Sequence, residues 1–487
     1  ALENLNAGAD AYNVAVGHTA GKNVTTGIQN TLIGGSAGDA LTTGNENVAI
    51  GMEALTSDTQ GKRSVAVGKS ALLTQNLSSS ANAYNTAVGY DSGRVLTTGV
   101  NNVLIGALAG DALTDADFNV AMGFQALTND TLGSGSTAIG HHALQSQNLT
   151  SATSSLNVAV GYQAGKAVTT GIANTLVGNQ AGLALTTGNN NVAMGHAALL
   201  SEVQGDLNTA IGVGALQNQV NSSDADVKNT AVGYNAGNAV TSGTKNTLIG
   251  SGSGNAISSG DGNVVIGGFT GNQGGLDIRT TDNNIVFSDG DGNPRGYWHG
   301  GLSSPTWVFA TPTGNQNSMQ ILNTASSNPF GILIKFTNNN PDDTNRYFLV
   351  CTAQSTVKLI IYSNGNVLNA NNSYGQLSDE KLKENIVDAN SQWDDIKAVK
   401  VKNFSFKADK LDKPNMLGVV AQDLEASGMS GLVETHEDVD EDTKESLGTT
   451  TKSVKYSILY MKAVKALQEA MTRIEVLENK VKKLEGS

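Results

Sequence analysis

In the segment SDEKLKENI, Ser378 and Lys383 place a hydroxyl and an amine five residues apart, the two groups from which a serine nucleophile with a lysine base is built. A serine hydroxyl is a weak nucleophile until a neighbour removes its proton. A lysine can do so only where burial or nearby positive charge lowers its pKa. On a continuous helix, five residues turn two side chains about 140° apart, so Lys383 on a helix reaches Ser378 only if the serine precedes the first turn. On spacing alone the plainer reading is an N-cap, Ser378-Asp379, ahead of a helical pattern with Lys383 in solvent. Chemistry thins out elsewhere. His299 is the lone histidine between residues 271 and 377, with no Ser/His/Asp constellation or pair of acids near it. The run Ser288–Gly292 (SDGDG) lacks the spacing and distal glutamate of a calcium loop and reads as a turn. No metal and no cofactor are expected.

The elements that carry these residues follow from composition and repetition. The 487 residues include 57 Gly but only 6 Pro, with 5% aromatic and 15% charged. Length suggests about three domains. So few aromatics exclude a large conventional core, while a mean hydropathy of -0.18 does not suit a disordered chain. A repetitive fold that buries small side chains remains. A net charge of -13 argues against nucleic acid as a partner. No apolar run approaches the length of a membrane helix, so no membrane insertion is expected. A lone cysteine, Cys351, excludes a disulfide framework within the chain. No signal peptide is visible, and the opening ALENLNAG has no Met, as if the native N-terminus lay upstream.

Residues 1–270 repeat a pentad, Asn-x-(Ala/Leu/Val)-(Val/Ile/Met)-Gly. It starts at Asn13, Asn30, Asn47, Ser64, Asn85, Asn102, Asn119, Ser136, Asn157, Asn174, Asn191, Asn208, Asn229, Asn246 and Asn263. Three equal steps and a fourth, longer one make a set, and the set then repeats. Asn13, Asn85, Asn157 and Asn229 are thus equivalent points of a super-repeat. The pentad reads as a short strand ending at a glycine corner. A second segment, such as Val24–Gly27 or Leu41–Gly44, reads as a second strand, so each unit becomes one rung of a parallel β-solenoid. The asparagines would stack as a structural ladder, amide on amide, along the axis. Fifteen rungs at about 4.8 Å give a shaft roughly 70 Å long. Its apolar edge must meet something, and identical neighbours around a three-fold axis supply that. The four extra residues of each set fall in polar loops at 76–84, 148–156 and 219–228, read as tolerated insertions. The pentad resembles the head repeat of YadA-like trimeric adhesins and related phage fibre proteins, which implies a trimeric left-handed parallel β-roll.

After Gly268 the pattern stops. Leu276–Phe287 and Asn293–His299 read as connecting strands within 271–314. Residues 315–377 alternate (SMQILNT, FGILIKFTN, RYFLVCTA, VKLIIYS, GNVLNA) and read as a small antiparallel β domain. Trp298, Trp307, Tyr347 and Tyr362 read as its compact core, and Cys351 as a small core residue. From 378 to 487 the chain turns to charge and helix: a strand-like Val401–Phe406, then Leu417–Gly428, then a helix from about Val454 to Leu484. That helix carries a seam of Val464, Leu467, Met471, Ile474, Leu477, Val481 and Leu484, coiled-coil spacing with one stammer.

Three motifs here, SDEKLKENI, LGVVAQDLEASG and VKYSILYMKAVKAL, resemble the intramolecular chaperone of phage tail fibres and endosialidases. The resemblance implies an α-rich chaperone that trimerises the chain and then cleaves itself once. It implies Leu377–Ser378 as the scissile bond, Ser378 as nucleophile and Lys383 as general base. The fold class expected is therefore mainly β, with a trimeric solenoid shaft, a small antiparallel domain and an α-rich chaperone ending in a coiled coil. The function expected is a homotrimeric virion tail fibre for host attachment, an enzyme only as a single-turnover serine auto-protease. Its expected partners are its own copies, a host receptor or glycan, and other tail proteins. A bacterial trimeric adhesin is the first alternative, disfavoured because that class ends in a membrane-anchoring β segment. A capsule depolymerase is the second.

Overall fold

The computed structural model describes residues 1–8, 10–77, 79–221, 223, 225–300, 306–309, 347–353, 356–362, 367–370, 383–405, 416–439 and 446–486. The chain divides into two compact units, Ala1–Gln320 and Ile321–Ser487.

The first unit is a parallel β-solenoid of about 16 turns. Each pentad forms one three-residue strand, from Val14–Val16 through Val264–Ile266. Each pairs in parallel, without slippage, with the strand one rung on, as in Val14↔Thr31, Ala15↔Leu32 and Val16↔Ile33. A sixteenth strand, Ile285–Ser288, pairs with Val264–Ile266 in the same register. The repeat therefore outruns the boundary drawn at residue 270. Its sixteenth pentad, Asn284–Ser288, escapes the motif because Phe287 replaces the Val/Ile/Met residue and Ser288 the corner glycine. Pro294–His299 then folds back antiparallel on Ile285–Ser288, and Thr306–Phe309 on Pro294–His299, which ends the parallel stack.

Among the described residues the expected second strand of each rung does not form, and strand pairing in these rungs outside the pentads is limited to isolated parallel bridges such as Lys62↔Asn82. Val24–Gly27 and its equivalents are turns and bends that still bond rung to rung, as where the Thr25 and Gly27 N–H groups both donate to the Thr42 carbonyl. Two N–H groups converging on one carbonyl make a turn, not a ladder. The glycine corners explain the tight stack. Gly106 sits at φ +128°, and a Cβ there would lie 2.6 Å from the Gly123 carbonyl oxygen.

Interior packing gives the super-repeat its physical reason. The middle residue of each strand points inward and is wholly buried from Leu32 onward. In the second rung of each set it is leucine (Leu32, Leu104, Leu176, Leu248), facing glycine at the next corner. A Cβ on Gly38 would lie 2.8 Å from Leu32 Cδ2. In the third and fourth rungs of the first three sets the strand carries alanine and the corner carries leucine, as with Ala49 and Leu55 or Ala66 and Leu72. The leucine thus changes walls between the second rung and the third, while the first rung has alanine and glycine (Ala87, Gly93) and is filled by its neighbours: a Cβ on Gly93 would lie 2.7 Å from Leu104 Cδ1 and 3.0 Å from Leu72 Cδ2. The corner leucines adopt a left-handed backbone, φ +52° at Leu55 and +50° at Leu72. That costs about 1–2 kcal/mol, offset by about 1.5–3 kcal/mol for burying the side chain.

The outer face differs. The third residue of all sixteen strands, from Val16 and Ile33 to Ile266 and Phe287, is apolar and only partly covered. This makes an unbroken apolar stripe along the solenoid.

In the second unit, Tyr347–Ala353, Thr356–Tyr362 and Val367–Asn369 form an antiparallel sheet. The strands expected from SMQILNT and FGILIKFTN lie outside the described residues. Cys351 is exposed, not buried as the apolar strand suggested. The three described strands make a single layer, which cannot enclose a small side chain on its own. Beyond Lys383 the fold is mixed, with few helices: α1 (Trp393–Ala398), α2 (Ala421–Ala426) and the long α3 (Tyr456–Glu485). Val401–Phe404 pairs antiparallel with Met416–Val419, and Val433–Val439 with Ser446–Val454. Leu424, Met429, Leu432 and Leu459 form its small core.

Candidate functional site

The asparagine positions converge into one continuous hydrogen-bonded column. The Asn30 N–H donates to Asn13 Oδ1 at 2.8 Å, and Asn30 Nδ2 donates to the Gly44 carbonyl at 2.9 Å. Asn102 repeats this, its N–H on Asn85 Oδ1 at 2.9 Å and its Nδ2 on the Ala116 carbonyl at 2.7 Å. The pattern recurs at Asn47, Asn119, Asn174, Asn191, Asn229, Asn246 and Asn263, and Asn157, which follows a serine rung, keeps its Nδ2 half on the Gly171 carbonyl. At Asn208 the N–H bonds Asn191 Oδ1 and Oδ1 accepts the Asn229 N–H. Asn284 extends the column by one, donating from Nδ2 to Asn263 Oδ1 at 2.7 Å. Each amide has a partner at both its nitrogen and its oxygen and is buried from Asn30 onward, the arrangement of a structural ladder.

Three wholly buried acids, Asp58, Asp130 and Glu202, stand beside this column. Asp58 accepts the Gly61 N–H at 2.9 Å and Gln75 Nε2 at 2.6 Å. Gln75 also reaches Ser64 Oγ at 2.9 Å and accepts Asn85 Nδ2 at 2.9 Å, so it bridges the rung where serine replaces asparagine. Burial pushes the Asp58 carboxyl above its ordinary range, against its hydrogen bonds to Gln75 and Gly61. In the third set, Glu202 and Asn208 stand where Asp58 and Ser64 stand in the first. Glu202 accepts the Gly205 N–H at 2.8 Å and Gln219 Nε2 at 2.6 Å. The sequence reading missed these acids and glutamines, although both recur once in each of the first three sets. Such residues ordinarily read as surface, and only the closed rung shows that they point inward.

The SDGDG run is a turn. Asp289 Oδ1 accepts the N–H groups of Asp291 and Asn293. The side chain and N–H of Asn293, with Arg295, hold the Asp289 pKa down to about 2.

For the hydrolytic pair the described residues give only one half. Leu377 and Ser378 lie outside them. Lys383 is described and exposed, in a non-helical stretch that runs to Gln392. The helical pattern expected there is not seen, since Asn385 sits at φ +57°, which a helix does not accommodate. The first helix is α1, and its approach is fixed by α3. Glu469 accepts the Ser391 hydroxyl at 2.7 Å and the Gln392 N–H at 3.1 Å, and these bonds hold its carboxyl below the usual range. Lys462 reaches Asp395 at 2.6 Å, and the Arg473 guanidinium lies 4.2 Å from the centre of the Trp393 ring. Sequence reasoning did not find this clamp. Its signal was the charged spacing Lys462, Glu469, Arg473 beside the apolar seam.

Along α3 only Leu459 and Ala466 are buried. The seam residues Val464, Leu467, Met471, Ile474, Leu477, Val481 and Leu484 are all exposed. Among the described residues, no three metal-ligating side chains cluster, and no helix is long and apolar enough to cross a membrane.

Residues 378–433 match the family described as chaperone of endosialidase. Together with the β-solenoid ahead of it, the match fits a tail fibre with a C-terminal chaperone. Neither curated proteins nor solved structures give a further match.

Proposed function

We propose that the chain is a homotrimeric phage tail fibre for host attachment. Its C-terminal module assembles the trimer and then releases itself by hydrolysis at Leu377–Ser378. The observation that carries this reading is the chaperone match beginning at Ser378 behind a β-solenoid. Two surfaces support the trimeric part. The apolar stripe of sixteen strands exceeds what a monomer usually leaves in water, and the exposed seam of α3 has coiled-coil spacing. In the reaction, Ser378 Oγ attacks the Leu377 carbonyl carbon while Lys383 takes the hydroxyl proton. The lysine then protonates the departing amide nitrogen, and water hydrolyses the ester. An amine acts as a base only in its neutral form, which calls for burial or nearby positive charge. Burial between assembled copies would provide that form and make cleavage a report of assembly.

The test is expression of the full chain beside Ser378→Ala and Lys383→Ala, read by gel and by molar mass in solution. Wild type should give two fragments, Ala1–Leu377 and Ser378–Ser487, and both variants an intact trimer. An uncut wild-type band would overturn the cleavage, and a monomeric wild type would overturn the trimer.

A further inference from the structure

Residues 1–7 pack as residues 71–77 pack in the trailing half of a fourth rung. Leu2 takes the left-handed backbone, φ +52°, that Leu72, Leu144 and Leu216 take at +50°, +49° and +49°. Its N–H donates to the Ala20 carbonyl at 3.0 Å, as the Leu72 N–H does to Ser92 and the Leu216 N–H to Ala236, both at 3.0 Å. The Asn4 and Asn6 N–H groups donate to the Lys22 and Thr25 carbonyls at 3.2 and 2.8 Å, matching Thr74 on Arg94 and Asn76 on Thr97 at 3.1 and 2.9 Å. Inside the rung, a Cβ on Gly21 would lie 3.0 Å from Leu2 Cδ2. Leu72 and Leu144 stand at the same 3.0 Å from Gly93 and Gly165.

The strand beside this half-rung has one open edge. The Gly34 N–H donates to the Val16 carbonyl at 2.8 Å and the Ser36 N–H to the His18 carbonyl at 2.9 Å, bonds repeated at nearly every later corner. Among the described residues, the equivalent N–H groups of Gly17 and Thr19 make no such bond. Val14 and Val16 are 50% and 58% exposed, and Leu5, which takes the place of buried Gln75, is 36% exposed.

We infer that the edge of Val14–Val16 is an interaction surface for one more parallel strand of the pentad class, (Ser/Asn)-x-Ala-(Val/Ile)-Gly, joined to Ala1 through two residues. Alanine is required in the middle because Leu2 already fills the corner, just as Leu72, Leu144 and Leu216 accompany Ala66, Ala138 and Ala210. Glycine is required at the end because its neighbour would be Gly17, where a Cβ would lie 2.5 Å from the next corner's carbonyl oxygen. Asparagine at the start supplies an acceptor for the Asn13 N–H, as Asn208 Oδ1 does for Asn229, and serine holds the same place in the rungs of Ser64 and Ser136. Two linking residues suffice because Lys69 and Ser70 join Gly68 to Ala71, the counterpart of Ala1. The recognition is strand addition to an open sheet edge, with the backbone giving affinity and the small residues giving selectivity.

The full chain carrying a copy of Ser64–Ser70 (SVAVGKS) fused before Ala1 tests this against the unextended chain, by amide hydrogen exchange at Gly17 and Thr19. A second extension carries aspartate for its alanine and valine for its glycine. The first extension should slow exchange at both amides at least tenfold, and the second should not. No slowing with the first overturns the inference, and equal slowing with both overturns the pentad selectivity. Equal slowing by the free SVAVGKS peptide overturns delivery through Ala1. The readout does not depend on cleavage at Leu377–Ser378.

Discussion

The solenoid and the long terminal helix satisfy their apolar residues in opposite ways. The solenoid encloses its inner row within one chain: Leu32, Leu55, Leu72 and their repeats are wholly buried, and the polar column beside them is hydrogen-bonded from rung to rung. Its outer stripe is left over, together with exposed residues between the strands such as Tyr90, Phe118 and Leu156. Helix α3 buries two residues of thirty and leaves a seam ending in Leu484, which is 76% exposed. A rung closes on itself and stacks, so its stability accumulates along the chain. A lone helix cannot enclose anything, and its seam contributes only when something covers it. Folding of the shaft and assembly of the proposed trimer are therefore separable, and substitutions should divide along that line.

The largest expected effect is on assembly. Ile474→Asp with Leu477→Asp should abolish trimer formation, read by molar mass in solution. Each change alters the stability of the single chain by only about 0.5 kcal/mol, because both positions are exposed in it. A monomer whose solenoid melts unchanged sharpens the comparison, and an intact trimer breaks it. Next in size, Leu176→Ala should cost about 2–5 kcal/mol through the cavity left in its rung. Adding Gly182→Leu reproduces the arrangement of a third rung and should recover part of that loss, whereas a further drop in melting temperature would refute the exchange of core volume between walls. Asn102→Ala should cost about 1–3 kcal/mol, because the Ala116 carbonyl and the Asn119 N–H lose their buried partner.

The smallest effect concerns pH. Because the Asp58 carboxyl is raised, the folded state holds its proton more tightly than the unfolded chain does. This contribution is fully present below the ordinary carboxylate pKa and is lost as pH rises through the raised value. Wild type should therefore lose stability relative to Asp58→Asn as pH climbs from 4 toward neutrality. A flat difference in denaturant titrations would show that the hydrogen bonds from Gln75 and Gly61 cancel the burial.

Much of the molecule was legible from residue order alone. The pentad placed fifteen strands and their register, because a repeat of identical bonding groups stacks in only one register. The motifs beginning at SDEKLKENI marked the family segment from Ser378. Helix α3 was legible from its apolar spacing to within two residues of its start. Closure of the rung in space decided the rest. It made Asp58 and Gln75 interior, showed the second segment to be a turn, and revealed Asn284 as a further member of the column behind a missing glycine. The fold also placed Ser391 and Gln392 against Glu469, far away in sequence. Local pattern records which groups recur. Which of them face one another depends on the path of the backbone between them, and only the folded chain fixes that path.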